Sequence, residues 1–421
     1  MNSRNLLATR NGRFLTFALL YISEGIPYGF TSIAMVAFMR QQDVSLELIG
    51  TFVGALFLPW AFKWAWAPLV DLIKLDRLGG RRAWIIFCTV MMIITLLITA
   101  MVDFRENFTL LLIMIVLTNL FCATQDVAID SLAVSSLRVS ERGRGNGFMF
   151  AGQYFGIMLG GGAAVFVSGL FGFKVALAYI SLLLFMNLLF VLLFVQDPYA
   201  NPEAERQDHL VRKLITSMIA FVKEVYASFW QSGSGPIFGV AFSLLPMGAM
   251  ALAYATLATI QVDYGLDSSQ IARLQIFNTI SSALGCIAGG LLGDRFGAKR
   301  VVAIAYFLTA LPTLLLGIQI SLVGLTAVPS HLFYGIIIAH GFFYGMAYGV
   351  RNAIFMGMTN PAVAATQFTA FMAMSNLAIS LTNYWQGIVA ERIDYAAVFY
   401  VDSLLAVLAI LLIPFLRDRK T

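Results

Sequence analysis

About twelve runs of roughly 20 predominantly apolar residues recur along the chain, and that recurrence narrows its fold more than any other feature. A run of that length, coiled as a helix, matches the hydrocarbon thickness of a bilayer. Inside lipid every backbone donor and acceptor must be satisfied within the protein, which leaves helices or closed barrels. The runs are too long for barrel strands, so the expected class is an all-α membrane protein. The first six are Phe14–Met39, Ile49–Val70, Trp84–Val102, Phe108–Leu137, Gly147–Phe171 and Val175–Val195. The second six are Pro236–Val262, Ser269–Leu292, Val301–Leu322, Leu332–Met358, Ala364–Ala390 and Tyr395–Leu416.

Composition agrees. The 421 residues are 60% hydrophobic and only 12% charged, about half the charged fraction of a soluble domain. The net charge of +5 does not point to nucleic acid, because Lys and Arg gather in short tracts between apolar runs. These tracts hold Lys74, Arg77, Arg81 and Arg82, then Arg138, Arg142 and Arg144, then Lys299 and Arg300. Loops on the other side, such as 103–107 and 321–330, are short and poor in basic residues. The positive-inside rule then places both termini in the cytoplasm. Cys88, Cys122 and Cys286 sit within apolar runs without ligand spacing, so neither disulfides nor a metal site are expected.

The one long polar connection, 196–235, divides the chain into a first half (1–195) and a second half (236–421). Within it, apolar residues recur at helical spacing from Leu210 to Trp230 among Arg212, Lys213 and Lys223. This reads as an amphipathic helix on the inner membrane surface.

The halves repeat one motif. Gly290 to Arg300 reads Gly-Leu-Leu-Gly-Asp-Arg-Phe-Gly-Ala-Lys-Arg between the second and third spans of its half. The first half has Asp71, then Asp76-Arg77-Leu78-Gly79-Gly80-Arg81-Arg82, at the corresponding place. Six plus six spans with this loop twice resembles the major facilitator superfamily. The resemblance implies two six-helix halves and a substrate site near the midplane between them. It also implies a gating role for Asp71, Arg81, Arg82, Asp294, Arg295 and Arg300, with a simple topogenic loop as the alternative.

A narrower resemblance rests on five ordered motifs: Ser23-Glu24-Gly25-Ile26-Pro27-Tyr28-Gly29, Lys63-Trp64-Ala65-Trp66-Ala67-Pro68-Leu69-Val70-Asp71, Gln125-Asp126-Val127-Ala128-Ile129-Asp130, Glu141-Arg142-Gly143 and Ala365-Thr366-Gln367-Phe368. These are similar to AmpG-type permeases, a group that includes muropeptide importers and related siderophore permeases. Muropeptide permeases often carry spans beyond the twelve, which keeps the siderophore type in play.

Ionisable residues inside spans are expensive and mark working sites. Asp126 and Asp130, four apart, share one face of a helix. Glu24 and Lys63 are expected at a similar depth, with Lys63 free to neutralise Asp130 or Glu24. Asp126, Asp130 and Glu24 are therefore the candidate proton carriers. Aligning the tenth span with the fourth puts Arg351 level with Asp130, where its planar guanidinium suits a carboxylate or phosphate. Candidate substrate contacts are Arg351, Lys63, Gln125, Gln153, Gln367 and Asn376, each amide being as suited to tying helices together. His340, deep in the tenth span, reads as a core histidine or a proton relay.

No nucleotide loop, metal cluster or nucleophile with a base emerges, so no enzymatic activity and no cofactor are expected, with a proton gradient as the energy source. The reading is a monomeric secondary transporter of the inner membrane. It would import a polar anionic solute such as a muropeptide by proton symport. A siderophore permease is the alternative, and a non-transporting membrane sensor the reading from another class.

Overall fold

A computed structural model of the protein describes residues 5–67, 70, 79–102, 107–138, 141–197, 210–231, 234–247, 249–358 and 364–416. The described elements are helices. The first span comprises α1 (Arg10–Gly29) and α2 (Met35–Gln41), joined through a π-helical stretch at Phe30–Ala34. The second is α3 (Leu46–Phe62), and the third and fourth are α4 (Arg81–Met101) and α5 (Phe108–Ser136). The fifth combines α6 (Arg142–Met158) and α7 (Ala164–Phe171) across a second π-helical stretch, and the sixth is α8 (Phe173–Phe194). After the amphipathic α9 (Leu210–Gln231) come α10 (Ser234–Leu244), α11 (Ala255–Asp263), α12 (Ser268–Phe296), α13 (Ala298–Val323), α14 (Ser330–Met358), α15 (Ala364–Arg392) and α16 (Tyr395–Leu412).

Among the described residues two expected spans depart from a continuous helix: the second, expected to run to Val70, leaves regular helix at Phe62 for a 3-10 turn, and the seventh is broken in its middle. Pro236–Val262 reads as one apolar run, yet the helix stops at Leu244 and restarts at Ala255. Pro246 lies two residues past that stop, where it offers no N–H and disfavours helix in the residue before it. Hydropathy alone is blind to the interruption because the intervening residues remain apolar.

The chain forms two compact units, Met1–Ala34 with Phe62–Met218, and Met35–Ala61 with Ile219–Thr421. In the first unit, glycines set the closest helix contact. A Cβ on Gly25 of α1 would stand 3.0 Å from Gly156 Cα of α6, and one on Gly156 would stand 2.9 Å from Gly25 Cα. Such spacing lets backbones touch, as small residues do between membrane helices. Pro27 interrupts α1 from inside. The hydroxyls of Thr31 and Ser32 donate to the carbonyls of Pro27 (2.9 Å) and Tyr28 (2.6 Å) where the helix loosens into its π turn.

Outward faces are apolar. On α8, Leu182, Phe185, Met186, Leu189 and Leu193 are exposed while Ser181 and Asn187 are buried, the reverse of a soluble helix and the pattern lipid requires. On α9, Ile215, Ile219, Val222 and Tyr226 form an exposed stripe at helical spacing, as the amphipathic reading predicts.

In the second unit, α2 and α3 pack on α11, α15 and the start of α16. Arg40 donates to both oxygens of Asp263 (Nε to Oδ1 2.5 Å, the second amine to Oδ2 2.8 Å), and the Tyr395 hydroxyl donates to Asp263 Oδ2 at 2.7 Å. Glu391 accepts the first helical N–H of α3, from Leu46, at 2.6 Å. Ser380 donates to the Gly54 carbonyl at 2.7 Å.

Candidate functional site

The first unit gathers three of the sequence motifs around one group of ionisable side chains. The turn after α3 begins this arrangement. Residues Lys63–Ala65 tighten into a 3-10 turn, as helix ends often do, and the Trp66 indole donates to Thr124 Oγ1 of α5 at 3.1 Å. That contact lays the turn against α5, and the Lys63 ammonium reaches Asp126 Oδ2 at 2.5 Å. Lys63 therefore neutralises Asp126, where the sequence pointed to Asp130 or Glu24. The physical reason is that Lys63 sits on a turn outside the regular helix, so counting residues along α3 misjudges its reach.

Asp130, one turn along α5, accepts a hydrogen bond from the Tyr21 hydroxyl at 2.6 Å. Glu24, one turn along α1 from Tyr21, accepts from Gln153 at 2.7 Å through Oε1, while its buried Oε2 has no partner. An i, i+3 pair on α1 thus meets an i, i+4 pair on α5. Glu24 and Asp126 are only 3% and 4% exposed. Three carboxylates face one ammonium here, and the described residues add no second cation. With all three ionised, the group would carry uncompensated buried negative charge, which costs several kcal/mol per ion. The chemistry open to such a cluster is to take up and release protons.

Gln125 lies elsewhere than a ligand surface. It is fully buried, accepts from Ser23 at 3.3 Å and donates to Thr89 at 2.6 Å, tying α1, α4 and α5 together. Arg13 and Glu141 make a further buried pair (Nε to Oε2 3.0 Å, the second amine to Oε1 2.6 Å). This pair joins the start of α1 to the start of α6. The Arg13 hydrogen bonds hold the Glu141 carboxyl below the usual glutamate range. In the sequence Arg13 carries no signal of this pairing beyond its place just before the first apolar run. Tyr21 carried no signal beyond its place three residues before Glu24.

The expected gating residues have these placements. Arg81 donates to Ser131 at 2.7 Å and pairs with Asp197 at 3.7 Å. Arg82 donates to the carbonyls of Val191 (3.4 Å) and Leu192 (2.8 Å), completing the end of α8 as a basic residue at a helix C-terminus does. Arg295 lies over the Phe296 ring at 5.2 Å, and Arg300 is exposed. Asp71 lies outside the described residues, as do the side chains of Asp294 and Gln367.

In the second unit Arg351 is 2% exposed. One amine donates to Ser375 Oγ, and the guanidinium lies over Phe355 at 4.9 Å. Its Nε has no partner, and no ion pair to it occurs among the described residues. A buried guanidinium with donors to spare is a ready receptor for an anionic oxygen. Asn376 donates to the Trp60 carbonyl at 3.3 Å, between α15 and α3. His340 is fully buried and its Nε2 meets the Ala249 carbonyl at 2.8 Å, in the gap between α10 and α11.

Comparison with known proteins follows the same lines. The anhydromuropeptide permease of Escherichia coli K12 is 23% identical over 384 residues, taking in 89% of this chain and 74% of that one. A putative transporter AmpG 4 of Rickettsia conorii is 20% identical over 419 residues, with 97% of each chain covered. Among solved structures, the xylose transporter XylE from E. coli in an inward open conformation superposes with a TM-score of 0.73 at 14% identity, covering 98% of this chain and 97% of that one. The nucleoside transporter NupG superposes at 0.67 with 15% identity, over 97% and 100%. Those two share the fold. The family model described as Major Facilitator Superfamily matches residues 14–272 and again 238–421. With two matches that together span nearly the whole chain, and with full-length likeness to AmpG-type transporters, the protein belongs to the Major Facilitator Superfamily.

Proposed function

We propose that the protein is a proton-coupled importer of a polar, anionic organic solute, with an anhydromuropeptide as the leading substrate class. The observation that carries this reading is the group of buried Glu24 and Asp126 with half-buried Asp130, which among the described residues is set against one cation, Lys63. Its charge balances only when protons are bound, so proton uptake and release are built into its electrostatics. Asp126, paired to Lys63, and Glu24, with a bare oxygen, are the proton carriers in this reading. Asp130, held by Tyr21, adjusts their balance.

Arg351 is the proposed anchor for the substrate's anionic group, with its unused Nε directed to that task. Lys63, Gln153, Gln367 and Asn376 are proposed to complete the polar contacts. The relatives named for anhydromuropeptide transport support the substrate class. Basic loops at 81–82 and 299–300 support an inner-membrane orientation with both termini in the cytoplasm.

The test is uptake into proteoliposomes under an imposed pH gradient. A labelled anhydromuropeptide should accumulate when the outside is acid, and both Asp126→Asn and Glu24→Gln should abolish gradient-driven accumulation. Uptake indifferent to the gradient would end the proton reading. Accumulation of a ferric siderophore in place of the sugar peptide would reassign the substrate, and binding without accumulation would favour a sensor.

A further inference from the structure

The break in the seventh span exposes backbone groups in the middle of a membrane helix, and buried side chains from three other helices serve them. Asp402 of α16 accepts the Ala251 N–H at 2.7 Å through Oδ2. Asn383 of α15 accepts the first N–H of α11, from Ala255, at 3.1 Å. His340 of α14 meets the Ala249 carbonyl at 2.8 Å. Without these contacts the break would leave polar backbone unsatisfied in an apolar medium.

Asp402 differs from its companions in carrying a charge when ionised. It is fully buried and, among the described residues, forms no ion pair. Its second oxygen, Oδ1, accepts from the Gln386 amide at 3.2 Å, and Gln386 Oε1 in turn accepts from Thr256 at 3.2 Å. Thr256 lines a small cavity together with Leu46, Gly50, Thr259 and Gly387. Two polar side chains, Thr256 and Gln386, therefore run from that cavity to a buried carboxylate that, among the described residues, has no counter-charge.

We propose that Asp402 is a proton-binding site of the second unit, reached through Gln386 and Thr256 and distinct from the carboxylates around Lys63. The proton comes from the aqueous phase and forms an O–H bond at Oδ1. Oδ2 keeps the Ala251 N–H, so the broken backbone stays capped. The Gln386 amide turns to present Oε1 to the new hydroxyl, and its NH2 donates to Thr256, whose oxygen accepts equally well. A metal cation fits poorly, because both carboxylate oxygens already face N–H donors and hard cations require a cage of oxygens.

Of the titratable groups on the surrounding elements, Tyr254 stands at the end of the break, His340, Tyr344 and Tyr348 are on α14, Tyr306 on α13, Tyr384 on α15, and Tyr395 and Tyr400 on α16 itself. The charged groups Arg40, Asp263 and Glu391 gather at the far end of α11 and α15. Arg351 is eleven residues, or about 16 Å, along α14 from His340. None supplies Asp402 with a counter-charge by an ion pair.

Infrared spectroscopy of the full-length protein in a maltoside detergent, which has no carbonyl of its own, tests this. At neutral pH the wild type minus Asp402→Asn difference should contain one protonated-carboxyl carbonyl band. That band should persist in Glu24→Gln and rise in frequency in Gln386→Leu. A difference spectrum showing only carboxylate bands would overturn the proposal. Should Asp402→Asn fail to fold, carbon-13 aspartate labelling of the Asp126→Asn, Asp130→Asn protein reads the same band by its isotope shift. Its absence there is equally decisive. The uptake experiments test the Lys63 group, so either reading can fail while the other stands.

Discussion

Replacing Lys63 by Met should harm the protein more than replacing the aspartate it holds, and the difference can be worked from the first unit. Lys63→Met removes the ammonium that, among the described residues, alone faces Glu24, Asp126 and Asp130, and leaves Asp126 without its 2.5 Å partner. Stranding one member of a buried pair costs about 3–5 kcal/mol. Asp126→Asn loses the same pair but also removes a like charge. Asp126 and Asp130 lie one helical turn apart, about 6 Å, and at an effective dielectric constant of about 20 their repulsion is about 3 kcal/mol. The Asn variant recovers that sum, and Lys63 keeps Asp130 and Glu24 as negative neighbours. Thermal unfolding in detergent at neutral pH should therefore rank wild type above Asp126→Asn and Asp126→Asn well above Lys63→Met. The Lys63→Met, Asp126→Asn double variant should lie above Lys63→Met alone, and acid should rescue Lys63→Met because bound protons replace the lost charge. Equal losses in the two single variants, or a Lys63→Met protein indifferent to acid, would refute the account of the cluster as an excess of negative charge.

Three further outcomes follow from particular contacts. Arg351→Gln should reduce substrate uptake at least tenfold, and Arg351→Lys should restore little of it, because an ammonium cannot reproduce the planar fork; the readout is uptake against substrate concentration. Gly156→Ala should lower the melting temperature, because the new methyl meets α1 backbone within 3.0 Å, whereas Gly290→Ala, which meets nothing within 4 Å, should raise it. Arg13 stabilises the charged form of Glu141, so that share of stability is present above the ordinary glutamate value of about 4.3 and is lost as pH falls below it. Melting curves between about pH 6 and pH 3 should show a steeper acid loss for wild type than for Glu141→Gln.

Most of the fold could be read from hydropathy because a bilayer imposes one length and one backbone solution on every span. The close crossing of α1 and α6 at Gly25 and Gly156 could not be, because hydropathy does not distinguish a packing glycine from any other. The membership of the candidate site was also legible: Glu24, Lys63 and Asp126 stand out because charge in an apolar run is costly. Their pairing was not, since it depends on a 3-10 turn after Phe62 that no periodicity records. The break in the seventh span escaped for a related reason. Its residues 245–254 are apolar by composition, and the groups that satisfy its backbone come from helices more than 80 residues away in sequence. Asp402 met the same criterion as Asp126, an acid inside a run, but it stood alone, without a second carboxylate one turn away to draw attention to it.

That lone acid bears on what kind of protein this is. A chain selected only to fold in a membrane gains nothing from Asp402 where Asn would cap Ala251 as well, nor from a fully buried Arg351 with an idle Nε. Pairs whose charges do balance are present for comparison: buried Arg13 with Glu141, and half-buried Arg40 with Asp263. These sit near helix ends, while the unbalanced groups sit deep within spans. The first unit carries an excess of carboxylates, and the second carries a cation and an acid that do not pair with each other. Among the described residues the charge at depth in both units lacks a full partner, and the roles proposed above rest on that imbalance: a proton for the carboxylates and an anion for Arg351.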